Sequence, residues 1–202
     1  MDRRVFLFRM VGGTGITALP FVARADLACV PQGPGVEACT AGLRSAIASI
    51  TMRRPQQKSN WCWAACLEMV FRYHGLEVSQ ETIVEETLGD DRNLPGSPGE
   101  ILENLNRTWT VDDDDYTVEA DTYTVTPGTV AQDLANDFPL IIGSMGHAMV
   151  LTGVQYYRRF DSYGNIVGAV VRDPWPGRGK RSLSAAEWAL MSFAVRIRVS
   201  AS

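Results

Sequence analysis

The chain has 202 residues, 46% of them hydrophobic and 21% charged, with 18 Gly, 10 Pro and four Cys. This balance excludes a disordered tail, a collagen-like repeat and a disulfide-dense miniprotein. Formal net charge is −4, without a basic stripe to attract a phosphate backbone, and no apolar run reaches the roughly 20 residues a helix needs to cross a bilayer. Neither nucleic acid nor a membrane span is expected.

Residues 1–25 read as an export signal. Arg3, Arg4 and Arg9 make a positive start, Met10 to Val22 a mildly apolar stretch, and Ala23-Arg24-Ala25 a small-x-small cleavage site. Arg3-Arg4-Val5-Phe6-Leu7 resembles the twin-arginine export motif, so a periplasmic or secreted location is expected. Cleavage removes four Arg and one Asp, leaving 177 residues with 15 basic and 22 acidic side chains. That length suits one domain with a real core. Residues 26–54 read as an N-terminal extension, with one short helix within 41–52, and residues 55–202 as the domain. In the extension, Cys29 and Cys39 flank the Pro/Gly-rich segment from Val30 to Val36, which can fold back and let them pair as a disulfide in an oxidising compartment.

Beyond Pro55 the periodicity predicts a helix from Trp61 to His74, capped by Ser59 or Asn60 and ended by Gly75. Its apolar face is Cys62, Ala65, Cys66, Met69, Val70 and Tyr73, and Glu68 and Arg72 fall on the wet side. Helices follow at 80–88 and 98–106, the second opened by Ser97-Pro98-Gly99-Glu100. The acidic run Asp112 to Asp115 lacks the alternating ligands of a calcium loop and reads as a solvated turn. From Tyr116 the period falls toward 2, predicting strands at 116–125, 139–144, 148–157, 166–172 and 193–199, with helices near 128–137 and 184–191. Helices first and then a mainly antiparallel sheet make an α+β pattern.

Nucleophilic catalysis by cysteine needs a thiolate, a base and an oxyanion donor. Cys62 lies in the first helical turn, where free N–H groups and the helix dipole favour an anion, and Cys66 is one turn deeper on the apolar face. Cys62 is therefore the candidate nucleophile. The chain has two histidines. His74 is 12 residues along the same helix, hence about 18 Å from Cys62, too far for a base or for a shared metal. It suits the helix C-terminus, where a cation is favoured. No metal site or cofactor is expected, and His147 remains as the base. A hairpin centred on Phe160 pairs position i with 320 − i, which places His147 opposite Asp173, with Cβ atoms about 5 Å apart. Asp173 opens the rigid turn Asp173-Pro174-Trp175-Pro176-Gly177 and is the candidate orienting acid. Gln56 and Gln57 both precede the helix closely enough to offer an amide to an oxyanion.

Taken together, Gln56-x₅-Cys62-Trp63-Ala64-Ala65-Cys66, Gly146-His147 with its following apolar run to Gly153, and Arg172-Asp173-Pro174-Trp175-Pro176-Gly177 resemble the papain-like cysteine peptidases. The closest flavour is the compact bacterial type, which includes staphopain-like enzymes and peptidase C39-like domains, and the likeness covers roughly residues 53–200. It implies a papain-like fold, in which a helical part carries Cys on its central helix and packs against an antiparallel sheet or half-barrel carrying His and Asp. It also implies Cys62 as nucleophile, His147 as base, Asp173 as orienting residue and Gln56, six residues before the Cys, as oxyanion donor. The implied reaction is hydrolysis of a protein or peptide substrate. Acyl transfer to an amine, or peptide binding without catalysis, would use the same residues. Ser59 stands where plant and lysosomal relatives have a Cys, so their local disulfide is missing, and Asp replaces their orienting Asn.

Overall fold

The structure, a computed structural model, describes residues 27–122, 125–160 and 162–201; the expected leader lies outside them. The described residues open with a hairpin, β1 (Leu27–Gly33) and β2 (Val36–Gly42), and continue through four helices: α1 (Ser45–Thr51), α2 (Cys62–Tyr73), α3 (Gln80–Leu88) and α4 (Pro98–Leu105). Then come β3 (Arg107–Val111), β4 (Asp114–Thr122), α5 (Pro127–Ala135), β5 (Leu140–Ser144), β6 (His147–Arg159), β7 (Ser162–Asp173), β8 (Gly179–Ser182), α6 (Ala185–Ala189) and β9 (Met191–Ala201). The nine strands of the described residues form one open sheet in the order β1-β2-β6-β5-β9-β4-β3, with β7 on the other edge of β6 and β8 beyond it. Every pairing is antiparallel.

β6 is the organising strand. Its first residues, 147–151, pair with β5, and residues 153–159 pair with β2, while β7 runs along its other edge. Helix α2 packs on β6, flanked by α1 and α3. Ten of its twelve residues are buried, including Leu67, Val70 and Phe71 at 0% exposure. The small side chains of Ala64, Ala65 and Cys66 let neighbours approach closely on several sides, so the helix buries far more than the single stripe its periodicity predicts.

Three expectations need correction. Residues 26–54 are not an extension outside the domain, because β1 and β2 continue the sheet and Cys39, Ala41, Leu43 and Met52 join the core. The alternation was masked by Pro31 and by the glycines that end both strands. Cys29 and Cys39 face each other across this hairpin and are joined by a disulfide. Glu68 is not on the wet side: it is 7% exposed, accepts a hydrogen bond from Gln80 Nε2 at 2.8 Å and lies 3.4 Å from Arg54 Nε. Finally, the β6–β7 register is irregular. It runs from Arg159↔Ser162 through Gly153↔Val170 to Val150↔Arg172, with bulges that move the pairing two residues away from the symmetrical hairpin.

The run Asp112 to Asp115 forms the tight β3–β4 turn, with Asp112 and Asp113 at φ 53° and 68°. Acidic side chains there tolerate the left-handed region and stay solvated.

Deleting residues 1–52 should unfold the domain. Full burial of Leu43 and Met52 alone is worth about 3–6 kcal/mol, a large share of a typical total of about 5–15 kcal/mol, and the deletion also strips one edge of β6. Urea denaturation followed by circular dichroism checks this. A cooperative transition in the shortened chain would show that the hairpin is dispensable.

Candidate active site

The site is assembled from one helix start and two strand ends. Loop 91–95 fixes the start of α2: Asn93 accepts from the Asn60 backbone N–H at 2.9 Å and donates to Ser59 Oγ at 2.9 Å, and the indoles of Trp61 and Trp63 donate to the carbonyls of Arg92 and Leu94. No side chain caps α2, and Trp61 occupies the N-cap position where Ser59 or Asn60 was expected. Cys62 is the first residue of the helix and is partly exposed, whereas Cys66 is fully buried. Burial alone would raise the Cys62 thiol, but the hydrogen bond from His147 and the backbone N–H groups of Ala148 and Trp63 outweigh it, so the pKa is lowered. At Cys66 burial dominates and the charges of Cys62 and Asp173 add to it, holding that thiol well above the ordinary value. The two thiols of one helix are thus driven in opposite directions.

His147 is the first residue of β6, held by the turn from Ser144 that passes through Met145 and Gly146, at φ 52° and 75°. Its Nε2 lies 2.7 Å from Asp173 Oδ1, which leaves Nδ1 for the thiol. Burial lowers the imidazole pKa, but hydrogen bonds to Cys62 and Asp173 more than compensate, and the net direction is up. The bulged register places Asp173 diagonally from His147, two residues short of the directly opposed position. Same-face diagonal neighbours remain within reach of His and Asp side chains.

Asp173 has no exposed side-chain surface. Burial would neutralise it, but it accepts from His147 at 2.7 Å, from the Trp175 N–H at 2.9 Å and from Arg181 Nε at 2.8 Å, with Arg178 Nη1 at 3.4 Å, and its pKa is lowered. Arg181 reaches on to both oxygens of Glu187, at 3.1 and 2.6 Å, and Glu187 closes the capping box of α6 with Ser184. The paired guanidinium, ahead of the opposing effect of burial, depresses Glu187 to about 2. The Trp175 ring meets His147 edge to face, with centroids 6.1 Å apart.

Arg181 and Asn93 escaped the sequence reading, which read Glu187 as part of the opening of the last helix and not as a partner of Arg181. β8 is only Gly179-Lys180-Arg181-Ser182, with no apolar alternation to mark it as a strand, and Asn93 sits in a loop that only folding brings to α2. Gln56 is buried and Gln57 is exposed. The Gln56 amide donates to the carbonyls of Lys58 at 3.1 Å and Ser59 at 2.8 Å, and its Oε1 is buried without a partner. His74 caps the far end of α2, and burial lowers its pKa, so it is a neutral packing residue where a helix-end cation was expected. A cleft of about 630 Å³ opens on Cys62 and His147, walled by Asn60, Pro95, Met145 and Trp175.

A thiol, an imidazole and a buried carboxylate in series at a cleft, on an α+β scaffold, define a site equipped for thiol chemistry. The model of the Peptidase C39-like family matches residues 50–195, and the chain belongs to that family of papain-like, C39-type cysteine peptidases. No curated protein matched the chain. Among the described residues no helix is long and apolar enough to cross a membrane.

Replacing Arg181 with Met removes one charged hydrogen bond from Asp173, worth about 1.5–3 kcal/mol. Because the folded-state pKa is depressed, Asp173 contributes stability above its unfolded value near ~3.9, and loses it as pH falls through the lower folded value. In Arg181→Met the folded pKa values of Asp173 and Glu187 both rise, so acid loss of stability begins at higher pH. Urea denaturation between pH 3 and 7 measures the shift; an unmoved acid limb would remove Arg181 from this role.

Proposed function

We propose that the protein is an exported cysteine peptidase that cleaves peptide bonds with Cys62 as nucleophile, His147 as base and then acid, and Asp173 as the residue that orients the ring. One observation carries the reading: the Cys62 thiol is driven toward thiolate by the same imidazole that a buried carboxylate holds toward its charged form. Sγ attacks the substrate carbonyl carbon, and the developing oxyanion is met by the N–H groups at the helix start. The imidazolium passes its Nδ1 proton to the leaving amine, leaving a thioester on Cys62. His147 then takes a proton from water, whose oxygen attacks the acyl carbon; the C–Sγ bond breaks, the acid product leaves, and the imidazolium returns its proton to Cys62 Sγ. The cleft wall has an apolar part at Met145, Pro95 and Trp175, which suits an extended peptide held by its backbone and apolar side chains, with Arg178 and Glu187 also on the wall.

Gln56 is proposed as the second oxyanion donor. Both of its N–H groups face the Lys58 and Ser59 carbonyls, so one must be released to reach the oxyanion. Export through the twin-arginine route is proposed from Arg3-Arg4-Val5-Phe6-Leu7. Changing Arg3 and Arg4 to Lys should hold the precursor in the cytoplasm, and export at the normal rate would point to the general secretory route.

Peptide-library cleavage under reducing conditions tests the mechanism. Cys62→Ala should lose turnover by several orders of magnitude with an unchanged fold. Cys66→Ala should keep it at a cost of roughly 1 kcal/mol or somewhat more from the cavity. Gln56→Ala should lower kcat on the order of 10²-fold with little change in KM; a loss confined to stability would make Gln56 a loop brace. Iodoacetamide should label Cys62 in mildly acidic solution and Cys66 only after unfolding. Turnover that survives Cys62→Ala would sink the reading.

A further inference from the structure

A second cavity, of about 380 Å³, adjoins the cleft and shares Trp175 and Arg178 with it, but neither Cys62 nor His147 lines it. Its volume falls in the range of small-ligand sites, about 300–1,000 Å³. The lining is strongly cationic in a chain of net charge −4: Arg53, Arg54, Arg172, Arg178 and Lys180 surround it, and its one carboxylate is Asp173, already committed to His147, Trp175 and Arg181.

Two of the five cations have partial partners. Arg54 Nε is 3.4 Å from Glu68 and Arg178 Nη1 is 3.4 Å from Asp173. Arg53, Arg172 and Lys180 make no side-chain hydrogen bond or ion pair to another described residue. Arg172 is the anomaly. It is only 9% exposed, its Nε is buried without a partner, and it stands directly across the β7–β8 ladder from Lys180. Like charges directly opposed in a sheet repel, and a buried guanidinium with unused donors lacks the compensation that burial of a charge requires. Burial, and then the charge of Arg53, push the Arg172 pKa down, as expected where a counter-charge is missing.

We propose that Arg172, Arg53 and Lys180, together with Arg54 and Arg178, form a binding site for a phosphate-class oxyanion beside the catalytic cleft. A guanidinium binds such a group in a planar, two-pronged geometry, and a multiply charged anion answers several cations at once, which a single carboxylate does not. The phosphoryl group has two sources of equal chemistry: a free phosphate, or a phosphate ester on a peptide that also lies in the adjoining cleft.

Binding to the full chain carrying Cys62→Ala tests this without any dependence on turnover. Inorganic phosphate, tripolyphosphate, and a phosphoserine peptide with its unphosphorylated twin are titrated by calorimetry, in chloride matched for ionic strength. Saturable one-site binding of phosphate and a rise in Tm with its concentration are expected. Arg53→Ala combined with Lys180→Ala, two exposed residues outside the catalytic machinery, should weaken binding at least tenfold, and Arg172→Gln should abolish it. Tighter binding of the phosphopeptide than of either free anion places the source on the substrate; equal or tighter binding of free anions makes it a separate ligand. Phosphate no better than chloride, or binding unchanged in the Arg53/Lys180 double variant, overturns the site. The double variant decides even if Arg172→Gln fails to fold.

Discussion

Asp173 carries a carboxylate with no exposed side-chain surface, at the point where β7 ends and the turn into β8 begins. Without compensation a carboxyl in that position would be neutral, and a neutral acid would neither orient His147 nor favour its charged form. Four groups keep it charged: the imidazole, the Trp175 N–H and two guanidiniums. Each comes from a different structural decision. The imidazole depends on the β5–β6 turn, the N–H on the rigid Pro174–Pro176 segment, and Arg181 on the existence of β8. Arg181 in turn is anchored by Glu187 at the start of α6, so a short helix on the wall of the same cleft, 40 residues on in sequence from His147, bears on the electrostatics of the ring.

The opposite fates of Cys62 and Cys66 follow from one turn of helix. At the first residue the sulfur meets unsatisfied N–H groups and the imidazole; four residues on it meets only packed side chains and the repulsion of other negative groups. A helix whose surface is almost wholly buried can hold a reactive thiol only at its end, because only there does the backbone still have donors to offer.

The clustering of cations behind Asp173 belongs to the same geometry. β8 must lie beside β7 to deliver Arg181, and that pairing sets Lys180 opposite Arg172. Arg181 is satisfied by Asp173 and Glu187, while Arg172, across the ladder from Lys180, is left with an unused donor beside a cavity. The same strand therefore supplies both a partner of the buried Asp173 carboxylate and part of the basic lining next to it.

The α2, α3, α5, β5, β6 and β9 elements, the place of Cys62 in the first turn of α2 and that of His74 at its far end were legible because they rest on local rules: apolar period, capping residues and the fixed rise of a helix. The meeting of His147 with Asp173 was legible only in outline, since the symmetrical hairpin put them opposite and the bulges made them diagonal neighbours. What the linear chain left open was every property that depends on a partner far away in sequence. Cys39 and Leu43 enter the core because β2 finds β6, and Glu68 is buried because Gln80 meets it across the helix pair. Arg181 becomes a support of Asp173 because a four-residue strand without apolar pattern is held by the ladder alone. Periodicity and helix geometry are written in neighbouring residues, whereas register, burial of charge and the pairing of ions are decided only when the sheet closes on the helix.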